Sequence, residues 1–172
     1  MYRILIVEDD RTNRLFYEKL PVWEQEGFVI GKQAENGKKA LEQIETEQFD
    51  AFFVDVMMPV MNGLEFLQEL KNRGITAPRI IISNYNEFAY VRQGMKLGAM
   101  DYLLKPVTEE ELQECLRTVR EELDAEKEQS VEEQIFFACG ADIHSGFVQK
   151  LMQYFQEHAE LNQKEISDAF LL

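Results

Sequence analysis

Acidic, hydroxyl and ammonium side chains stand directly after four separate apolar runs of this 172-residue chain. Glu8 and Asp9 follow the run that ends at position 7, and Asp55 follows the run at 52–54. Ser83 follows the run at 80–82, and Lys105 follows the run at 102–104. Short apolar runs rich in β-branched and aromatic residues are typical of buried strands. Four strand ends that deliver such groups predict one polar site at one edge of one sheet.

Carboxylates gathered at that edge could hold a hard cation. Mg²⁺ prefers oxygen ligands and is usually bound by one or two carboxylates together with phosphate oxygens, which suits Glu8, Asp9 and Asp55. Lys105 adds a compact positive charge for a phosphoryl oxygen, and Ser83 adds a hydroxyl donor. A carboxylate between a divalent ion and an ammonium can attack an activated phosphoryl group and form an aspartyl phosphate. The chain has no histidine cluster and no paired cysteine motif, which argues against zinc.

Each of these residues also has an ordinary structural interpretation. An acid after a strand often caps the next helix, and for Glu8 or Asp10 alone that interpretation is favoured. Asp55 is harder to explain in this way, because an unpaired buried carboxylate is costly. Ser83 alone, or Lys105 before a proline, carries little information. The complete set, with each member at the end of its own strand, favours a functional site.

The segments that must position these side chains alternate between strand and helix patterns. Strands are predicted at 2–7, 29–34, 51–54, 79–82 and 101–104. Helices are predicted at 12–20, at 38–46, through Leu64, Leu67 and Leu70, at 87–97, and after the capping sequence at 108–111. Pro21 must end the first helix or begin a new turn. Asn36 with Gly37 opens the second helix, while Gly74 and Gly98 are predicted to end the third and fourth.

This alternation predicts the fold class. Five strands alternating with five helices give an α/β protein, a doubly wound five-stranded parallel sheet with helices on both faces. In such folds ligands bind beyond the carboxyl ends of the strands, where the strand order reverses. All four polar stretches lie at that edge, so the pattern itself predicts where the site is.

The composition limits the possible classes of protein. With 45% hydrophobic and 29% charged residues, the chain has the make-up of an ordinary globular protein. A formal net charge of -14 argues against a standalone nucleic-acid binder, which needs a basic face, and is most simply an acidic solvated surface. Cys115 and Cys139 form no disulfide framework, so a cytoplasmic location is expected. The N-terminal apolar run is too short for a signal peptide, and no membrane association is expected because no window approaches about 18 apolar residues.

The C-terminal part extends beyond what the predicted sheet requires. Leu112, Leu116, Val119 and Leu123 recur at helical spacing, so the last helix either packs on the sheet or projects as a linker or dimer seam. Packing is favoured for its first two turns, and projection is more plausible beyond Leu123. We predict a principal domain at 1–124, a linker at 125–142 and a helical tail at 143–172. Two short helices cannot enclose a core alone, so the tail packs on the main domain, pairs with another chain or begins a further domain.

Residues 1 to about 120 resemble the receiver domain of two-component response regulators, which has the flavodoxin-like, CheY-like fold. The resemblance rests on a set of motifs that is highly specific when taken together. They are Ile-Leu-Ile-Val-Glu-Asp-Asp at 4–10, Asp-Val-Met-Met-Pro at 55–59, Met-Asn-Gly at 61–63, Ser83, and Asp-Tyr-Leu-Leu-Lys-Pro at 101–106. The family acts in signalling, with at most self-phosphorylation and autodephosphorylation as activities of its own.

The resemblance implies a role for each polar strand end. Asp55 would accept phosphate from the phosphohistidine of a sensor histidine kinase. Mg²⁺ would be held by Asp9, Asp55 and the backbone carbonyl of Met57, with Glu8 helping through water. Ser83 and Lys105 would contact the phosphoryl group.

The resemblance also implies a switch. Ser83 would move toward the phosphate and Tyr102 would turn inward behind it, in a two-state equilibrium that phosphate biases. The face made by the fourth main helix, the fifth strand and the last helix would then change its partner preference, with homodimerisation on phosphorylation. The peptide between Lys105 and Pro106 would be cis.

Three positions depart from the family pattern. Val60 stands where glycine is usual, so the loop after Asp55 is expected to be stiffer. Asn84 stands where a small residue is usual, and its bulk could narrow access to Asp55. Asn62 replaces the usual acid in a turn. Met57 and Tyr85 occupy positions that tune phosphate lifetime in the family.

A narrower resemblance is to receivers of the YesN type, which carry an AraC-type helix-turn-helix output domain. It rests on Trp23 with Gly-Phe at 27–28, Ala-Glu-Asn-Gly at 34–37, and Ser-Asn-Tyr-Asn-Glu-Phe-Ala-Tyr at 83–90. The tail at 147–172 is similar to the opening helices of such a domain, and the remainder is absent. We therefore expect control of transcription, with DNA bound only through an output domain that is absent or incomplete here.

Two alternatives stay open. The first is a pseudo-receiver that keeps the fold as an interaction module and is never phosphorylated, although the full set of motif residues counts against it. The second is a Mg²⁺-dependent phosphohydrolase. Its common form would need a second acid two residues after Asp55, where this chain has Met57.

Overall fold

A five-stranded sheet forms the centre of the protein. The computed structural model describes residues 1–84 and 88–139, with the side chains of 88 and 131–139 excluded. The strands are β1 (Tyr2–Val7), β2 (Phe28–Ala34), β3 (Ala51–Asp55), β4 (Arg79–Ser83) and β5 (Asp101–Leu104). All neighbouring strands are parallel, in the order β2-β1-β3-β4-β5. The predicted fold class is confirmed, and the predicted strands agree with these bounds to within one residue.

The helices are α1 (Arg11–Glu18), α2 (Val22–Gln25), α3 (Gly37–Ile44), α4 (Gly63–Asn72), α5 (Phe88–Lys96) and α6 (Glu109–Cys139). The described part of the chain thus has one helix more than the five expected. The difference arises at Pro21, which ends the first helical segment and begins the one-turn helix α2 as its N-cap. The expected helix at 12–20 is therefore shorter at its C-terminal end.

Side chains just before the helices determine where they begin. Asn36 accepts a hydrogen bond from the backbone N–H of Lys39, and Asn62 forms a reciprocal capping box with Glu65. The expected capping box before α6 is present, because Thr108 Oγ1 accepts from the N–H of Glu111 while the Glu111 carboxylate accepts from Thr108. Gly74 and Gly98 follow α4 and α5 with φ of +69° and +84°, a region where glycine is favoured.

Alternate residues of the strands build a core on each face of the sheet. From β1, Ile4 and Ile6 face α1, α2 and α6, while Leu5 and Val7 face α3, α4 and α5. Both faces are therefore covered, which explains why the central strands are apolar at nearly every position.

The apolar stripe of α6 packs on the sheet as far as Leu123. Leu112, Leu116 and Val119 are fully buried, and Leu123 is 6% exposed. The protein divides into a compact unit at Met1–Leu123 and a second unit from Asp124 onward. The helix itself continues to Cys139, so residues 125–139 of the predicted linker are helical. The predicted tail at 143–172 lies outside the described residues, and the domain division stays a prediction.

Among the described residues, no helix combines the length and apolar character needed to cross a membrane.

Candidate functional site

The polar side chains lie where the strand order reverses. β1 is flanked by β2 on one side and by β3 on the other, so the connections that follow β1 and β3 run in opposite directions across the sheet. The carboxyl ends of β1 and β3 are in register, with Val7 beside Val54, which places Glu8 and Asp55 directly beyond paired residues. This crevice is the usual ligand position in a doubly wound sheet.

Lys105 joins the acids of two strands. Its ammonium Nζ lies 2.6 Å from Glu8 Oε2 and 2.5 Å from Asp55 Oδ2. All three side chains are nearly inaccessible, with exposed fractions of 8%, 2% and 5% respectively. One ammonium between two carboxylates leaves an excess negative charge in a buried place, which favours a further cation.

Asp9 completes a cluster of three carboxylates. One oxygen from each of Glu8, Asp9 and Asp55 lies within 4.8 Å of the others. Asp9 is exposed while the other two acids are buried, so the cluster opens to solvent on the Asp9 side. With Lys105 included, the ionised groups carry two excess negative charges. This donor set, made only of oxygen atoms, fits Mg²⁺ rather than a metal that prefers nitrogen or sulfur.

Burial and charge act against each other on the titrating groups. Burial raises the pKa of the Glu8 carboxyl group, although hydrogen bonds from Lys105 and Asn13 act in the opposite direction. Burial alone would lower the pKa of Lys105. Its hydrogen bonds to Asp55 and Glu8, together with their negative charges, outweigh that effect, so the pKa of the ammonium lies above its usual value. Lys105 is therefore fully charged at neutral pH.

The loop after β3 wraps closely around Asp55. The backbone N–H of Met57 donates to Asp55 Oδ1 at 3.2 Å, and the N–H of Gly63 donates to the carbonyl of Val56 at 2.9 Å. A Cβ atom on Gly63 would lie only 2.0 Å from the carbonyl oxygen of Asp55, so this position requires glycine. The sequence analysis placed Asn62 in a turn and missed this close approach of Gly63.

Val60, in the same loop, adopts φ of +71° and is 79% exposed. A β-branched residue is strained in this left-handed region. The departure from glycine noted in the sequence therefore has a physical consequence in the backbone of the loop that follows Asp55.

Ser83 and Lys105 are brought together by pairing of the last two strands. Ser83 pairs with Leu104, and the backbone N–H of Lys105 donates to the carbonyl of Ser83 at 2.8 Å. Ser83 is fully buried at the end of β4, while Asn84 after it is exposed. The peptide bond between Lys105 and Pro106 is cis, as the resemblance implies.

Tyr102 lies on β5 beside Ile81 and is partly buried against the core on the α3, α4 and α5 face. Tyr85 lies outside the described residues, as does the side chain of Phe88.

Two residues of α1 contact the acidic loop and were not predicted from the sequence. Asn13 Nδ2 donates to Glu8 Oε1 at 3.0 Å, and Arg14 Nη1 donates to the carbonyl oxygens of Glu8 and Asp9. Asp10 caps this helix by accepting from the N–H of Thr12 at 2.6 Å, so its ordinary structural interpretation is confirmed. Only the position of Asn13 and Arg14 one helical turn after the acids could have indicated their contacts.

Comparison with known proteins shows which family this chain is similar to. The profile of the family described as the response regulator receiver domain matches residues 4–117. The uncharacterized transcriptional regulatory protein YesN of Bacillus subtilis is 33% identical over 123 residues, which cover 72% of this chain and 33% of YesN. A probable C4-dicarboxylate response regulator DctR of Halalkalibacterium halodurans is 30% identical over 125 residues, covering 70% and 52%. The chain thus spans between a third and about half of these relatives.

Solved structures agree with the sequence relatives. The receiver domain of AraT, a response regulator of Geobacillus stearothermophilus, superimposes with a TM-score of 0.68 at 31% identity, covering 73% of this chain and 98% of that one. A LuxR-family DNA-binding response regulator of Staphylococcus aureus gives 0.63 at 28% identity, covering 69% and 98%. The strand order, the acids beyond β1 and β3, and these matches lead to one conclusion: the chain belongs to the response regulator receiver family of two-component systems.

Proposed function

We propose that this chain accepts a phosphoryl group on Asp55 from the phosphohistidine of a sensor histidine kinase. The observation that carries the proposal is the position of Asp55, whose carboxylate meets the ammonium of Lys105 and lies in one cluster with the carboxylates of Glu8 and Asp9. A nucleophilic carboxylate needs positive charge beside it, here the Lys105 ammonium and a cation held by the acids, because its own charge would otherwise repel the incoming phosphoryl group.

The same residues would hold the metal. Asp9, Asp55 and the backbone carbonyl of Met57 would bind Mg²⁺ directly, and Glu8 would act through a water molecule. When bound, Mg²⁺ would offset negative charge on the phosphoryl oxygens. Asp55 would attack phosphorus through one carboxylate oxygen, and the bond from phosphorus to the imidazole nitrogen of the kinase would break with its electron pair left on that nitrogen. Lys105 would then donate to a phosphoryl oxygen instead of to Asp55 Oδ2.

Phosphorylation would act on a neighbouring face. Ser83 would donate its hydroxyl to the phosphoryl group, and Tyr102 would turn inward behind it. The face made by α5, β5 and α6 would then favour a second copy of the chain or another partner. Transcription would be controlled through an output domain, and DNA would be bound only by that domain. The proposal includes a cytoplasmic location, where the kinase would meet the receiver.

The test is incubation with acetyl phosphate and Mg²⁺, followed by intact mass. We expect the mass of one phosphoryl group to appear on the wild-type chain, and to be absent from Asp55→Asn and in EDTA. Beryllofluoride should change the fluorescence of Trp23, because the indole ring packs against β3. Trp23 lies edge-on to Phe53, with ring centroids 5.1 Å apart, and Phe53 is two residues before Asp55 on that strand. If the adduct and the fluorescence change are both absent, the pseudo-receiver is favoured. Sustained turnover of phosphate monoesters would favour the hydrolase.

A further inference from the structure

Arg14 contacts the main chain of the acidic loop rather than its carboxylates. Its Nη1 atom donates to the carbonyl oxygen of Glu8 at 2.5 Å and to that of Asp9 at 2.9 Å. This nitrogen carries two N–H groups and can serve both acceptors. A half-buried guanidinium is thus held beside the acids while the carboxylate oxygens that would bind a cation are left available.

These two carbonyl groups belong to the peptides on either side of the Asp9 Cα atom. β1 ends at Val7 and α1 begins at Arg11, so Asp9 lies in a short connection. The N–H of Glu8 donates to the carbonyl of Ala34 at 3.0 Å, which restrains the start of that connection. Arg14 restrains both peptides that flank Asp9, and with them the direction of the Asp9 side chain.

We propose that Arg14 is a positioning residue of the metal site, which aims the Asp9 carboxylate at Mg²⁺. The inference rests on the proposed function. Outer contacts that orient metal ligands typically contribute 10–100-fold to metal affinity. Charge alone predicts the opposite sign, because removal of a positive side chain near a cation site favours binding of the cation. The direction of the change therefore separates positioning from simple electrostatics.

The experiment is titration calorimetry of Mg²⁺ into the full chain and three variants. Arg14→Met removes both the charge and the donors, whereas Arg14→Lys keeps the charge but loses the planar guanidinium. Arg11→Met is the matched control, because it removes the same charge from an exposed position of the same helix. We expect both Arg14 variants to bind Mg²⁺ about tenfold more weakly. Arg11→Met should bind it as the wild type does or slightly more tightly.

Melting temperatures in EDTA separate this role from a structural one. The inference is supported if the folded Arg14 variants bind Mg²⁺ more weakly and melt near the wild-type temperature. If Arg14→Met does not fold, the Arg14→Lys variant provides the test. Unchanged or tighter Mg²⁺ binding by the folded Arg14 variants overturns the inference, while the proposed function stands. A loss of Mg²⁺ affinity that is accompanied by a lower melting temperature also overturns the inference, because it indicates a structural role for Arg14. A wild-type chain that binds no Mg²⁺ overturns the proposed function and this inference together.

Discussion

At the scale of single residues, Lys105 determines the electrostatics of the site. It is the buried cation that faces Glu8 and Asp55, and it reaches both across 97 and 50 residues of sequence. A buried charge network is costly when one member is removed, because the remaining charges keep their desolvation penalty. The two carboxylates would then repel each other until another cation neutralised them.

Replacement of Lys105 by methionine should therefore make stability depend on metal. In EDTA we expect Lys105→Met to lose about 3 kcal/mol of unfolding free energy. Added Mg²⁺ should stabilise this variant more than it stabilises the wild type, because it takes over neutralisation of the acids. Urea unfolding with and without Mg²⁺ measures both effects. Lys96→Met, an exposed change on α5, is the control and should have little effect; equal Mg²⁺ stabilisation of variant and wild type would contradict the prediction.

Val60 offers a second prediction at this scale. A positive φ costs an L-residue about 1–2 kcal/mol, and glycine avoids that cost. Part of this gain is offset, because glycine also raises the conformational entropy of the unfolded chain. We expect Val60→Gly to stabilise the protein by about 1 kcal/mol, measured from urea unfolding at constant slope. Val29→Gly is the matched control on the exposed part of β2, where it should destabilise by a similar amount. A loss of stability in both variants would show that Val60 is not strained.

At the scale of elements, α6 is attached to the rest of the unit by more than its apolar stripe. Glu26 follows α2 and is 5% exposed. Its carboxylate accepts from Gln113 Nε2 at 2.7 Å and from Arg117 Nε at 3.2 Å, and Arg120 contacts both its carboxylate and its carbonyl. These α6 residues lie on one helical face, so one acid joins three turns of the helix to the start of β2.

This contact predicts a pH dependence. Hydrogen bonding from Gln113, helped by the guanidinium of Arg117, lowers the pKa of Glu26 below its usual 4.5 despite the opposing effect of burial. Because the folded pKa is the lower one, the contribution to stability is complete above pH 4.5 and is lost as the pH falls through the folded pKa. The difference in unfolding free energy between wild type and Glu26→Gln should therefore be largest near neutrality and shrink in acid.

Hydrogen exchange offers a second measurement on Glu26→Gln, since amides of α6 before Leu123 should exchange faster. Glu24→Gln is the matched control, because Glu24 is an exposed acid of α2, the one-turn helix that Glu26 follows. The prediction is wrong if the two variants show the same stability at all pH values and the same exchange.

At the scale of the whole molecule, the proposed output is a change in association. The face made by α5, β5 and α6 exposes Met95 and Leu104, each 45% accessible. Exposed apolar side chains of this kind suit a contact that forms only in one state. A switch at Asp55 could control it because Ser83 and Leu104 are paired at the ends of adjacent strands.

We expect beryllofluoride with Mg²⁺ to increase the sedimentation coefficient of the wild-type chain in analytical ultracentrifugation. Leu104→Asp should abolish that increase, because a charge in the contact would be desolvated without a partner. Leu15→Asp, which changes a leucine of 44% exposure on α1, is the control and should retain it. If beryllofluoride binds without any shift in sedimentation, the predicted association of two copies is wrong.

The sequence by itself determined the strands, the fold class and the set of polar strand ends. These features depend on local patterns, because apolar runs, caps and glycines act on their own neighbourhood. Their shared edge follows from the parallel arrangement of the strands. The prediction of helices was less accurate near Pro21, where a proline can either end a helix or begin another.

Only the tertiary structure decided which of these groups touch. The bridge from Lys105 to Glu8 and Asp55, the hold of Arg14 on the peptides around Asp9, and the attachment of Glu26 to α6 are contacts between elements or across a turn. Such contacts depend on side-chain direction and on how helices settle against the sheet, neither of which residue spacing specifies. The sequence therefore predicted the polar strand ends of the candidate site, and packing decided how they are held and which further residues contact them.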